Sequence, residues 1–355
     1  MNDTKKFNAL IIILIVCYGI SFGAKTLINT AGTGGYILAL AGGVASFLIY
    51  GKIYGINQSQ ISPADKTGRI IIYTAGLLLM LSALVQAVAI CCITAKSLGN
   101  VFMKKTPFEY TLLFILLACT AGTCCGTKAV SRYAATGGIA ALVITITVLL
   151  FAYENYDIKN LMPLTGRAFS EGKNIFLMLS VYSNAVYLWA ISPQKSKKQT
   201  KANLGSVILI SGGIITAICF VTSLILPFET LSSLSDPLLY TASTVNFSFL
   251  VERSEAAVFI VRLLTAFISI SSLLCIVCRF ATDIFKLSDR KAIIPSILII
   301  TACATLIADR FDLSEQLMYF SAIWTLGISL ILPSAINVYY KSYQKRKTIQ
   351  REDKE

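Results

Sequence analysis

Two short polar clusters interrupt apolar runs of this 355-residue chain and carry groups suited to binding a small molecule. They are Gly19-Ile20-Ser21-Phe22-Gly23 and Ser180-Val181-Tyr182-Ser183-Asn184. Glycine lets a helix backbone open towards a ligand, while the hydroxyl and amide side chains supply hydrogen-bonding groups. The ends of a broken helix offer N–H groups to a carboxylate and carbonyl oxygens to an ammonium. The clusters therefore predict a site for a small neutral amino acid or a similar molecule.

Two further apolar runs contribute polar groups at helical spacing. Gln86 lies in one of them, and Thr265 and Ser269 share a helix face with Arg262 in the other. Such groups are costly in a membrane unless they find partners. The candidate ligand-binding residues are Gly19, Ser21, Phe22, Gly23, Gln86, Tyr182, Ser183, Asn184, Thr265 and Ser269.

Each of these residues also has a structural explanation. Small residues in membrane helices commonly pack against other helices, and a buried glutamine commonly bonds between helices. The hydroxyl side chains of the second face can bond carbonyls of their own helix. Arg262 can extend towards Glu252 or Glu255 near the end of its run. The sequence leaves both explanations open.

The residues that most enzymes depend on are missing. Histidine is absent, which rules out a serine–histidine triad, and no glycine-rich stretch ends as a phosphate loop does. Cys275 and Cys278 have the spacing of a metal site but stand alone. We therefore predict no catalytic residue, no metal, no cofactor and no enzymatic activity.

Hydrophobic residues make up 55% of the chain and charged residues only 14%, as expected of a polytopic membrane protein. Each apolar run comes near the twenty or so residues that a helix needs to cross a bilayer. Ten runs are found, approximately at 7–22, 31–50, 70–95, 108–125, 137–153, 174–191, 203–226, 255–280, 292–308 and 315–338. The sequence predicts an all-α protein with ten transmembrane helices.

Basic residues alternate between the gaps that separate these runs. Of the 31 lysines and arginines, 20 lie at the termini or in even-numbered gaps, and nine lie in odd-numbered gaps. Because basic residues stay on the cytoplasmic side, both termini are predicted to be cytoplasmic. The same placement explains the net charge of +13 by topology and attraction to anionic lipid, so we predict membrane lipid and not nucleic acid as a partner.

Five spans followed by five spans allow an inverted repeat, the usual plan of secondary transporters. Residues 1–340 would form one domain, with repeats at about 7–153 and 174–338. The two polar clusters then fall at corresponding places, which predicts that the first and sixth helices are broken. Residues 341–355 read as a disordered basic cytoplasmic tail, and residues 237–250 as an outer lid or half-helix.

Two motifs carry a resemblance to a known family. Asn160-Leu161-Met162-Pro163-Leu164 follows the fifth run, and Phe249-Leu250-Val251-Glu252-Arg253-Ser254-Glu255-Ala256 enters the eighth. In this order and spacing they resemble the B subunit of endospore germinant receptors, the spore-germination branch of the amino acid/polyamine/organocation permease superfamily. Tyr182-Ser183-Asn184 departs from the Phe-Gly-Glu-like sequence that the family often has there, so proton coupling at that place is not expected.

The resemblance implies a leucine-transporter-like fold and a germinant receptor subunit in the inner membrane of a spore. Such a subunit binds a small-molecule germinant, here expected to be an amino acid, and signals through A-type and C-type subunits. The first alternative is an ion-coupled amino acid transporter. A further alternative is a structural or channel-like subunit without a ligand of its own.

Overall fold

The computed structural model describes residues 3–53, 66–101, 103–169, 172–187, 197–234, 236–244, 254–286 and 294–352. Within these ranges the chain is helical, with short connections and no β-strand. This is the expected solution for an apolar chain in lipid, because a helix satisfies its own backbone hydrogen bonds. The α-helices are α1 (Asp3–Tyr18), α2 (Ala24–Ala31), α3 (Gly35–Ile53), α4 (Lys66–Val101), α5 (Phe108–Phe151), α6 (Gly172–Tyr182), α7 (Lys197–Ile225), α8 (Phe228–Ser233), α9 (Pro237–Ser243), α10 (Ser254–Phe285), α11 (Ile294–Arg310) and α12 (Ser314–Glu352).

Six helical stretches of the described chain are long and apolar enough to cross a membrane. Two of them, Lys5–Tyr50 and Phe108–Asn155, have 46 and 48 residues, about twice what one crossing requires. The second is divided by a kink at Gly126, which lies between the predicted fourth and fifth runs. The φ of Gly126 is 82°, outside the helical range. The prediction of an all-α, multi-pass membrane protein is confirmed, whereas the count of ten crossings and the inverted repeat stay predictions.

The backbone changes character at both polar clusters. Between α1 and α2, residues Gly19–Gly23 form a π-helical turn, in which the N–H of Ala24 donates to the carbonyl of Gly19. The dihedral angles of Tyr18 and Ala24 stay helical, so the first helix is widened here and not unwound. In the second cluster α6 ends at Tyr182, and residues Ser183–Val186 continue as a 3₁₀ turn. The rest of the predicted sixth run, 188–191, lies outside the described residues.

Helix α1 occupies the centre of the bundle. Its Leu10, Ile11, Leu14 and Ile15 are at most 1% exposed, and the helix contacts α5, α7 and α10. Helix α10 packs along α4 and α5, and α3 packs along α7. A helix that is apolar all round belongs inside a bundle. The central position of α1 places the π-helical turn among the other helices.

The loop that follows α5 holds several helix ends together. The backbone N–H of Arg167 donates to the carbonyl of Ala31 at 2.7 Å, and the Tyr36 hydroxyl donates to the carbonyl of Leu164 at 3.2 Å. Asn160, from the first family motif, donates its side-chain amide to the carbonyl of Leu224 at 3.1 Å. The loop thereby joins the α2–α3 turn to the end of α7 just before α6 begins.

The carboxyl-terminal segment corrects one prediction. Residues beyond 340 were expected to be disordered, but α12 continues to Glu352 as one helix of 39 residues. At 1.5 Å per residue such a helix is about 58 Å long, well beyond the roughly 30 Å of a hydrocarbon core. Basic residues such as lysine and arginine are good helix formers, so a charged composition did not prevent the helix from continuing.

Candidate functional site

A cavity of about 180 Å³ lies beside the π-helical turn and α2. It is bounded by the π-helical turn and α2, by the end of α4, by the start of α9, and by the start of α12. The charged residues in its wall come from the end that the charge pattern predicts to be outer. The lining residues are Ser21, Phe22, Lys25, Thr26, Asn29, Ile93, Lys96, Ser97, Asp236, Leu239, Ser314, Glu315 and Tyr319.

Two predicted site residues form part of this wall. Ser21 is partly buried, and Phe22 is 5% exposed. The Phe22 ring meets the edge of Tyr319 at a centroid distance of 4.7 Å and lies 5.6 Å from the Tyr18 ring. Such aromatic pairs fix ring orientation in addition to the area they bury. The aromatic contact between Phe22 and Tyr319 thus ties the π-helical turn to α12 at the cavity.

Two lysines at the cavity are paired with carboxylates on or beside α12. Lys25 Nζ lies 2.6 Å from Glu315 Oε1, and Lys96 Nζ lies 2.6 Å from Asp312 Oδ1 and 3.5 Å from Asp309 Oδ1. The hydrogen bond from Lys96, together with its positive charge, lowers the pKa of Asp312. These carboxylates keep much of their contact with water, so the pairs contribute little to stability.

One further ion pair at the cavity is buried. Arg262 Nη1 pairs with Asp236 Oδ2, and the two side chains are only 6% and 10% exposed. Asp236 Oδ1 also accepts the backbone N–H of Leu239 at 3.3 Å and so caps α9. The sequence suggested Glu252 or Glu255 as the partner of Arg262. Glu252 lies outside the described residues, and the structure pairs Arg262 with Asp236, the N-cap of α9.

Behind this pair, α1 and α10 bring several small polar groups together. The Cys17 side chain of α1 lies near those of Ser21, Thr265 and Ser269, with Arg262 close by. The Ser269 hydroxyl has no hydrogen-bond partner among the described residues. Thr265 and Ser269 are 2% and 0% exposed. The Thr265 hydroxyl donates to the carbonyl of Arg262 at 3.0 Å, within its own helix. The predicted residues of α10 therefore meet the π-helical turn behind the cavity wall.

Two predicted amides are buried without a complete set of partners. Both polar atoms of the Gln86 side chain, and Nδ2 of Asn184, have no hydrogen-bond partner among the described residues. Gln86 is 0% exposed and Asn184 1% exposed. Buried polar groups in proteins are nearly always bonded, to protein, water or ligand. Neither residue lines the cavity, but both retain hydrogen-bonding capacity inside the bundle.

The other predicted residues lie in packed helix contacts. Tyr182 is fully buried and donates to the carbonyl of Ala39 at 2.7 Å, and Ser183 donates to the carbonyl of Ser180 at 2.7 Å. Added methyl groups at Gly19 and Gly23 would lie 2.7 Å from Ile215 and 3.2 Å from Val181, respectively. The glycines face α7 and α6, and Tyr182 faces α3.

Sequence reasoning missed most of the cavity's charged wall. Lys25, Lys96, Asp236, Glu315 and Tyr319 lie at the ends of apolar runs or between them, where charge is ordinary. One signal was available in the last run, where Ser321, Thr325 and Ser329 recur every four residues and share a helix face.

That face of α12 receives tyrosine hydroxyls from the helices around it. The Tyr18 hydroxyl donates to the carbonyl of Met318 at 3.1 Å, and the Tyr50 hydroxyl lies 2.9 Å from Ser329 Oγ. The Tyr187 hydroxyl donates to Ser82 at 3.1 Å. The first two bonds attach α12 to α1 and α3, and the third attaches the residue after the 3₁₀ turn of the second polar cluster to α4.

The helices and the cavity among them define a polytopic membrane protein with the fold of small-molecule transporters. A structure of Mhp1, a nucleobase-cation-symport-1 family transporter in a closed conformation with bromovinylhydantoin bound, is similar with a TM-score of 0.63 at 11% identity, over 93% of this chain and 77% of that one. A Na⁺-coupled sialic acid symporter in a substrate-bound outward-open state is similar with a TM-score of 0.59 at 15% identity, over 92% and 78%. At these identities the likeness shows the fold alone.

The family is shown by the sequence itself. The family model described as spore germination protein, a spore permease model, matches residues 3–312, and the chain belongs to that family. A search of curated protein sequences finds no match.

Proposed function

We propose that this protein is a nutrient germinant receptor subunit that binds an amino acid in the cavity beside Ser21 and Phe22. The observation that carries the proposal is the composition of the cavity wall. It combines a π-helical turn with two lysines, one aspartate and one glutamate, so that the lining charges balance. A volume of about 180 Å³ is below the usual range of ligand pockets and suits a small molecule.

Binding would act by population shift. A ligand held between the π-helical turn and α12 favours the bundle arrangement in which these elements are close, and it can shift the equilibrium only by its differential affinity. The family supports a role in spore germination. We infer from the family resemblance that A-type and C-type subunits receive the change, in the inner membrane of the spore, with both termini in the cytoplasm.

A ligand screen tests this proposal. Purified protein is heated with each of a panel of small L-amino acids, and the thermal midpoint is recorded. Ligand that binds only the folded state raises the midpoint. We expect Ser21→Leu, which fills the cavity, to abolish the rise, while Ser334→Leu at an exposed position of α12 retains it. No rise with any amino acid would favour a structural or channel-like subunit.

Ion-coupled transport is the second candidate, and the fold similarity to a Na⁺-coupled symporter is the observation that favours it. Uptake of labelled amino acid into proteoliposomes, with and without an ion gradient, separates the two functions. A receptor binds the amino acid without accumulating it. Robust accumulation driven by the gradient would replace the receptor proposal with a transporter.

A further inference from the structure

We propose that Asp236 and Arg262 form an exchangeable ion pair, in which the bound ligand's ammonium takes Asp236 and its carboxylate takes Arg262. The inference deepens the proposed function and rests on it. It names the two side chains that recognise the charges of the ligand, and it specifies a small zwitterion as the ligand class.

This pair is more deeply buried than the other ion pairs described at the cavity. Glu315 and Asp312, which pair with Lys25 and Lys96, are 65% and 88% exposed, so water screens their charges. Asp236 and Arg262 are 10% and 6% exposed. An ionised ligand group interacts most strongly with a charged partner that is buried, because the local dielectric constant there is low.

The position of the pair allows exchange. Asp236 lines the cavity, whereas its partner Arg262 does not line it and lies near Cys17 of α1. Movement of the Asp236 carboxylate would therefore expose the guanidinium to the cavity. A planar guanidinium binds a carboxylate through parallel hydrogen bonds, and an aspartate accepts hydrogen bonds from an ammonium.

The need to pair both buried charges determines the ligand class. Leaving one buried charge without its partner is strongly unfavourable, so a lone amine or a lone carboxylate would strand Arg262 or Asp236. A zwitterion supplies both replacements at once. Stability alone does not explain the pair, because well-packed apolar residues commonly replace a buried ion pair without loss.

Exchange would also move the lid. Asp236 uses its second oxygen to cap α9, accepting the N–H of Leu239, which itself lines the cavity. A ligand that draws Asp236 away from Arg262 therefore changes the contact between α9 and α10. Ligand charge is coupled in this way to the position of the segment at the cavity mouth.

Chemical rescue tests the pair without knowledge of the natural ligand. Asp236→Ala leaves Arg262 unpaired, and we expect acetate, compared with chloride at equal ionic strength, to raise its thermal midpoint saturably by at least about 2 °C. The double variant Asp236→Ala/Arg262→Gln should show no such rise. Glu315→Ala, which frees the partly exposed Lys25 at the same cavity, is the matched control and should not respond.

Asp236→Asn serves as a second variant if Asp236→Ala does not fold. If acetate raises the thermal midpoint of the double variant by an equal amount, the proposal is overturned. It is also overturned if acetate raises the midpoint of neither Asp236→Ala nor Asp236→Asn. Methylammonium should raise the thermal midpoint of Arg262→Gln, in which Asp236 lacks its partner. It should not raise the midpoint of the double variant.

Ligand discrimination separates this inference from the proposed function. If an amino acid binds the wild type, its carboxamide should bind at least roughly 10-fold more weakly, and Arg262→Gln should remove that difference. Equal binding of acid and carboxamide to the wild type refutes the carboxylate role of Arg262 and leaves amino acid binding intact. If no amino acid binds but acetate still stabilises Asp236→Ala, the proposed function is refuted and the unpaired charge of Arg262 is not in question.

Discussion

Replacing Gly34 with alanine should loosen the loop that joins the α2–α3 turn to the end of α7. The added methyl carbon would lie 2.1 Å from the Thr165 carbonyl oxygen and 2.7 Å from its carbon, and both are backbone atoms. Carbon and oxygen normally approach no closer than about 3.3 Å, so the loop must withdraw by about 1 Å. No side-chain rotation relieves this contact.

The loss in free energy of unfolding has two sources, the tight contact itself and a hydrogen bond that the movement of the loop lengthens. Overpacking of a tight contact costs about 1–3 kcal/mol. The 2.7 Å hydrogen bond from the Arg167 N–H to the Ala31 carbonyl also lengthens, and a net hydrogen bond is worth about 1 kcal/mol. We expect Gly34→Ala to lower the free energy of unfolding by about 2–4 kcal/mol. Binding should weaken as well, because α2 carries Lys25 and Asn29 to the cavity.

The assay is unfolding of purified protein, followed by the loss of helix signal. Gly213→Ala is the matched control, since a methyl group there meets nothing within 4 Å and lies on the exposed face of α7. Alanine within a helix should stabilise by about 0.5–1 kcal/mol relative to glycine. Gly166, with φ of 46° and its added methyl 2.4 Å from the Ala31 carbonyl oxygen, should respond as Gly34 does.

The reasoning is refuted if Gly34→Ala unfolds at the same midpoint as Gly213→Ala. The contact between the loop and the α2–α3 turn would then be adaptable, and the loop would not fix the position of α2.

Three further predictions concern packing, charge and a hydrogen bond. Gly19→Ala should destabilise the protein by about 1–3 kcal/mol, because the three atoms nearest to the added methyl, the first at 2.7 Å, all belong to Ile215. Adding Ile215→Ala to that variant should cost less than Ile215→Ala costs in the wild type, and purely additive unfolding energies would contradict this contact. The lowered pKa of Asp312 contributes stability at neutral pH that is lost as the pH falls through that pKa, so Asp312→Asn should differ from wild type at pH 7 and not at about pH 2 in thermal scans; a difference that persists in acid would exclude the Lys96 interaction as its cause. Tyr50→Phe should cost about 1 kcal/mol in unfolding, because it removes the buried bond to the α12 serine at 2.9 Å, and an unchanged value would show that water replaces the hydroxyl.

Local composition was enough to predict where the helices change character. Gly19-Ile20-Ser21-Phe22-Gly23 combines low helix propensity with a central place in an apolar run, and the structure forms a π-helical turn over these five residues. The helix class and the membrane location followed from apolar run length alone. These properties depend on neighbours along the chain, which the sequence states directly.

Tertiary structure decided which side chains meet. Lys25 and Glu315 are 290 positions apart, and Asp236 reaches Arg262 only because α9 packs against α10. The rotation of each helix about its axis depends on packing against all its neighbours, and a turn of one residue moves a side chain by about 100°. Sequence therefore determined that this is a helical membrane protein whose helices change character at two polar clusters. The cavity and its charge pairs arise from contacts between distant segments, whose geometry no local pattern encodes.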